Sequence, residues 1–190
     1  MTKKYSPLMM IHLILMVLLI GFVLVSTIAT LSGVKTIDSQ LFFDSFSAGV
    51  YILAILNIAA LGCGIIYLLQ GYSKKAASYY KAFMVLTAAL SVLNLYSVYV
   101  FRGFCLGVIL IAVKVILLLA LAFWKDLGKR NTWILFFIII AIDLYIFISS
   151  NHQSYLLYRL AFILSKLLMD GTIGLAIRGK YADKDARGTK

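Results

Sequence analysis

Phe104–Trp124 reads FCLGVILIAVKVILLLALAFW, an apolar run whose single charge, Lys114, stands near its middle. Coiled as a helix at about 1.5 Å per residue, this stretch matches the roughly 30 Å hydrocarbon core of a bilayer. A lysine at such a depth costs about 2.5–3.5 kcal/mol on the insertion scale, so it needs a partner inside the membrane. Further runs of similar character lie at 8–31, 49–70, 82–101, 132–150 and 155–177. Six runs joined by short links predict an all-α polytopic transmembrane bundle forming one domain of 190 residues. Composition agrees: 63% of residues are hydrophobic and 13% charged, against roughly half and a quarter in soluble domains, so the surplus apolar surface needs lipid as its solvent.

Lys3 and Lys4 precede the first run as they would in a secretory signal, but that run exceeds the roughly 7–15 apolar residues of a signal core and predicts a retained span. The distribution of basic residues sets the orientation, since short cytoplasmic loops collect Lys and Arg. Lys3 and Lys4, then Lys74, Lys75 and Lys81, then Lys125, Lys129 and Arg130, then the tail 178–190 all fall on one side; Lys35 and Arg102 fall on the other. The pattern predicts both termini in the cytoplasm and a plasma-membrane location. Trp124, Trp133, Tyr72, Tyr79 and Tyr80 border these links, at the headgroup depth such rings prefer. The net charge of +11 is thereby topogenic, and no nucleic-acid partner is expected.

The sixth run departs most from the simple pattern, because Arg159, Lys166 and Asp170 each oppose insertion. It spans if Arg159 snorkels to the outer surface and Lys166 pairs with Asp170 one turn away. A five-span alternative, with this segment lying flat outside, would strand a basic tail on the wrong face. Three spans in each half would place the halves in opposite orientation, as in inverted-repeat transporters, although the halves share no residue-level similarity. Pro7 is the only proline, so no run carries a proline break; Gly62 and Gly64 interrupt the second run, and Ala60 with Gly64 forms a small-x-x-x-small step for close helix contact.

Polar residues inside the runs form stripes at helical spacing. Thr87, Ser91 and Asn94 align in the third run with Arg102 continuing the face; Thr132, Asp143 and Ser150 align in the fifth; His152, Tyr155, Arg159, Lys166 and Asp170 align at the sixth; Asn57 lies near Gly64 in the second, and His12, Ser26, Thr27 and Thr30 align in the first. Counting inward from the outer ends, Lys114 lies about 15 Å deep, Lys166 about 16 Å and Asp143 about 10 Å. These depths predict a mid-membrane cluster of Lys114, Asp143, Arg159, Lys166 and Asp170, in which Asp143 pairs with Lys114 or Lys166 and one cation lacks a counter-ion. Asn57, Ser91, Asn94 and Tyr155 are the expected supporting polar groups. A surplus cation in low dielectric deprotonates, binds an anion or reaches water, and these outcomes suit proton coupling, an anionic substrate and a conduction path respectively.

Other chemistry finds little foothold. The chain has no Glu, and its seven acidic residues are all Asp. Cys63 and Cys105 are far apart within apolar runs and form no thiol pair. His12 and His152 fall on opposite sides of the membrane, so no metal ligand set and no cofactor are expected. No nucleophile elbow, zinc helix, phosphate loop or dinucleotide turn is present. Asp170, Gly171, Arg178, Gly179, Asp183 and Asp185 lack the spacing of the Asp-Gly to Asp pattern of CDP-alcohol phosphatidyltransferases, because Asp183 and Asp185 are two apart and face apart on a helix. The link GYSKKAASYYK, with Lys74, Lys75 and Lys81, suits ordinary topogenic charge and could hold anionic lipid. The tail from 178 is expected to be a solvated cytoplasmic end.

These features predict a small transporter or the substrate-binding membrane subunit of one. Size, span count and orientation match vitamin-uptake binding subunits in shape alone. A non-enzymatic partner or regulatory subunit, assembling with another membrane protein through its polar stripes, is the second expectation, and a membrane enzyme the third.

Overall fold

Helices α1 (Pro7–Leu31), α2 (Ser47–Gln70), α3 (Ala77–Arg102), α4 (Leu106–Phe123), α5 (Lys129–Ser149) and α6 (Leu156–Gly188) make up nearly all of the computed structural model, in which residues 6–31, 47–70, 76–124, 127–149 and 156–188 are described. No strand occurs among the described residues. The helical continuity follows from the absence of proline after Pro7 and from the need of a chain in lipid to satisfy every backbone group within its own segment. Five helices contain segments long and apolar enough to cross a bilayer: Pro7–Val25, Ile52–Gln70, Ala77–Val100, Leu106–Phe123 and Lys129–Ser149. The sixth, α6, is 33 residues long and carries the charges that set it apart in the sequence. At 1.5 Å per residue it extends roughly 50 Å, well beyond one hydrocarbon core.

Each helix packs on its chain neighbour, and α6 closes the circuit by packing on both α1 and α2. The contacts run antiparallel. Tyr67 of α2 stacks near Tyr80 of α3, with ring centroids 5.4 Å apart, and Gly64 lies against Phe83. The Tyr80 hydroxyl donates to the Leu121 carbonyl of α4 at 3.4 Å. Only Gly103–Cys105 separate α3 from α4, and Gly103 adopts φ 69° while its N–H bonds the Tyr99 carbonyl at 2.8 Å. That left-handed conformation favours glycine and turns the chain straight back on itself.

The apolar core gathers at one end of the bundle. Met16, Leu61, Phe83, Leu118, Ile139 and Ile173, one from each helix, are almost fully buried there. The outward faces are also apolar, with Ile14, Leu18, Ile55, Ile116, Phe137 and Ile148 all exposed. So much exposed apolar surface on several helices would be a liability in water and is the normal exterior of a protein in lipid.

Two boundaries differ most from the sequence expectation. Helix α3 begins at Ala77 rather than 82, taking in the interfacial turn of Tyr79, Tyr80 and Lys81. Helix α6 runs to Gly188, so the segment after 177 is no solvated end at its start: Tyr181 is buried and donates to the Leu127 carbonyl at 2.7 Å, which anchors the first of about three further turns of helix.

Close approach around α6 depends on small residues. A Cβ placed on Gly171 would lie 2.8 Å from His12 Cε1, one on Gly174 would lie 3.0 Å from Phe136, and one on Gly64 would lie 3.1 Å from both Met16 and Thr172. Gly62, two residues from Gly64, meets nothing within 4 Å. Gly171→Ala is expected to destabilise the purified full chain by about 1–3 kcal/mol through overpacking against His12. Gly62→Ala is expected to leave the thermal midpoint unchanged or to raise it slightly. Equal midpoints for the two variants would contradict this packing.

Candidate functional site

Lys114 occupies the buried stripe of α4, where Val108, Ile111, Lys114, Leu118 and Leu121 recur at helical spacing. Asp143 holds the same position on α5, continuing the buried face of Thr132, Phe136 and Ile139. Both side chains therefore turn inward for the reason their apolar neighbours do, and they meet. Lys114 is 3% exposed and Asp143 8%. The Lys114 ammonium donates to Asp143 Oδ2, while Lys166 of α6 donates to Asp143 Oδ1 at 3.2 Å. One carboxylate thus ties three helices together, with an ammonium on each of its oxygens.

Asp170 lies one turn beyond Lys166 on α6, so both project on one face. Its carboxyl lies close enough to Asp143, Lys114 and Lys166 to interact with their charges. The structure therefore gathers Lys114, Asp143, Lys166 and Asp170. Lys114 and Asp143 are closed off, whereas the Lys166 side chain is 29% exposed and gives the cluster its opening. Arg159 lies two turns before Lys166 on α6, about 10 Å along the axis, and its side chain lies outside the described residues, as do Tyr155 and His152. Two ammoniums and two carboxyls meet here, so the expected surplus cation is not reproduced by the described groups.

The other expected polar residues turn to their own helices. Ser91 donates to the Thr87 carbonyl at 2.9 Å, Thr87 to the Phe83 carbonyl at 2.8 Å, and the Asn57 amide to the Leu53 carbonyl at 2.9 Å. Asn94 is half-buried on α3. Lys81 sits with its ammonium 5.9 Å from the centre of the Phe123 ring, and Lys74 and Lys75 lie outside the described residues. Cys63 and Cys105 are both free thiols. Among the described residues no three His, Cys, Asp or Glu side chains are placed to hold a metal ion.

Two polar contacts went unforeseen in the sequence. Thr172 donates to the Leu168 carbonyl at 2.8 Å, which leaves its hydroxyl oxygen to accept from His12 Nε2 at 2.9 Å. Lower on α6, the Tyr181 hydroxyl lies 2.7 Å from Thr132 Oγ1 while donating to Leu127. With Lys166 on Asp143, Gly174 on Phe136 and Tyr181 on Thr132, α6 is laid antiparallel along α5 over its whole packed length. Among the described residues every buried side-chain nitrogen and oxygen has a hydrogen-bond partner.

Chemically, the cluster holds charge. Among the described residues it offers no hydroxyl or thiol nucleophile beside a base, and its more exposed ammonium is that of Lys166. No family model, curated protein or solved structure matches the chain.

Removing one partner of a buried ion pair costs about 3–5 kcal/mol, because the other charge is left uncompensated, whereas replacing both by apolar groups is often close to neutral. Lys114→Met and Asp143→Leu should therefore each destabilise the purified chain in detergent unfolding curves, and the double variant should be more stable than either single one. Additive losses would show that the two side chains do not act as a pair.

Proposed function

We propose that the protein is a six-span transporter of the plasma membrane, or the substrate-binding membrane subunit of one, with both termini in the cytoplasm and the Lys114, Asp143, Lys166 and Asp170 cluster as its binding site. The observation that carries this reading is the buried ion pair of Lys114 with Asp143, beside which the Lys166 side chain is 29% exposed. Charges of this kind are expensive within a membrane, and their ordinary use there is to bind or relay a charged species. A purely mechanical link between α4 and α5 would be made at lower cost by apolar packing.

The packing of the bundle supports the same reading. Toward the end that holds Tyr181, the cluster is sealed by apolar residues from every helix and by the Tyr181, Thr132 and Leu127 contacts. A site closed at one end and open beside Lys166 has the layout of alternating access. Binding at the cluster would then draw on Lys166 for an anionic group and on Asp170 for a cationic one.

A thermal-shift panel of small carboxylates, phosphates, amines and amino acids on the purified full chain tests this. A ligand at about 100 times its dissociation constant adds about 2.7 kcal/mol, which corresponds to a rise of roughly 5–10 °C for a chain of this size. The reading expects at least one such compound, and expects Lys166→Gln to abolish its effect while the chain still folds. If no compound discriminates between the two, and the variants instead lose a co-purifying membrane protein, the chain is a partner subunit.

A further inference from the structure

Tyr80 sets how α3 is turned about its axis. Its ring is buried near that of Tyr67, and its hydroxyl donates to the Leu121 carbonyl of α4 at 3.4 Å. The next residue lies about 100° further round a helix of 3.6 residues per turn. Lys81 is thereby carried onto the outer face of the bundle, where it is exposed. Its ammonium lies 5.9 Å from the centre of the Phe123 ring, at the last residue of α4. The ring attracts a cation but supplies no negative charge to neutralise it. No carboxylate among the described residues pairs with Lys81.

Exposed apolar side chains continue from this point along both helices. Val85 stands one turn after Lys81 on α3, and Leu119 and Ile116 stand one and two turns before Phe123 on α4. Because the two helices run antiparallel, these side chains form one seam on the lipid-facing surface, with Lys81 at its end. Trp124, which caps α4, is 63% exposed and has the ring type that settles at headgroup depth. The seam presents a cation at the level of the headgroups and an apolar track beneath it. A helix of a second copy would cover the track and leave the ammonium without a counter-ion. A soluble phosphate would meet the ammonium and leave the track bare. An anionic phospholipid does both.

We propose that the seam between α3 and α4 is a binding site for one anionic phospholipid, with its phosphate on Lys81 beside Trp124 and an acyl chain laid along Val85, Leu119 and Ile116. The headgroup supplies the negative charge that the Phe123 ring lacks, at the depth where anionic lipids meet basic side chains. The site occupies the outward face of α4, whereas Lys114 turns inward, so it stands whether or not the protein is a transporter.

The chain has two tryptophans, so Trp133→Phe leaves Trp124 as the sole indole reporter; Trp133→Tyr serves if that variant fails to fold. The full chain is reconstituted in vesicles of phosphatidylcholine and phosphatidylglycerol, with bromine on the acyl chains of one lipid or the other. Quenching of Trp124 then reads the relative affinity of the seam for the two. Brominated phosphatidylglycerol is expected to be preferred about fivefold, the effect of one basic residue at an anionic surface. The preference should vanish in Lys81→Gln and persist in Lys81→Arg and in Lys180→Gln on α6. Equal quenching by the two lipids would overturn the proposal, as would a preference that Lys81→Gln leaves unchanged, which belongs to the basic surface as a whole. Loss of the preference in excess soluble glycerol phosphate would make the ligand a free phosphate, and quenching by neither lipid would show the seam covered by protein; either result also overturns it.

Discussion

An ammonium group buried in hydrocarbon has to meet an anion, and that requirement organises this bundle. Lys114 lies halfway along an otherwise apolar helix that carries no acidic residue of its own. Its partner must come from another helix at the same depth. Asp143 is that partner, and because its carboxylate has a second oxygen it also takes Lys166, drawing α6 against α5. Helix α6 then reaches across the bundle to α1 and α2 through a seam of small residues and a hydroxyl: Gly171 receives the His12 ring, Thr172 receives its Nε2, and Gly64 of α2 closes on Thr172. The helix least suited to lipid by composition thus packs on three others, α1, α2 and α5.

The same arrangement explains why the cluster looks like a place of function. The apolar core and the Tyr181 contacts make one end of the bundle firm without help from charges. Four ionisable side chains within about a turn of that core add desolvation cost at a level where apolar packing alone would serve.

Much of this was legible in the sequence for a simple reason: in a membrane, charge is conspicuous. Lys114 and Asp143 stand alone in apolar runs, and counting from the run ends places them and Lys166 at comparable depths, so their meeting could be anticipated from the cost of leaving any one unpaired. The helices themselves follow from the apolar run lengths. Hydroxyl groups gave no comparable signal. Thr87, Ser91 and Thr172 each satisfy themselves on the carbonyl four residues earlier, so aligned Ser and Thr do not predict a site, and Asn57 likewise bonds within its own helix, to the Leu53 carbonyl. The Thr172 contact with His12 and the Tyr181 contact with Thr132 join residues far apart in sequence whose types are individually unremarkable. The helical extension past 177 was hidden for the opposite reason, since its charges suggest solvent while the single aromatic Tyr181 supplies the anchor.

Lys166 and Asp170 can meet Asp143 inside the membrane only if α6 crosses it, which makes the side on which the chain ends the most direct test. In a background with Cys63→Ala and Cys105→Ala, a single cysteine introduced as Lys190→Cys is to be treated with a membrane-impermeant maleimide on intact cells, beside Lys35→Cys in the first outer link. The account predicts labelling at 35 in intact cells and at 190 only after permeabilisation. Labelling at 190 from outside would mean that α6 does not cross, and the three-helix charge cluster could not exist within the bilayer.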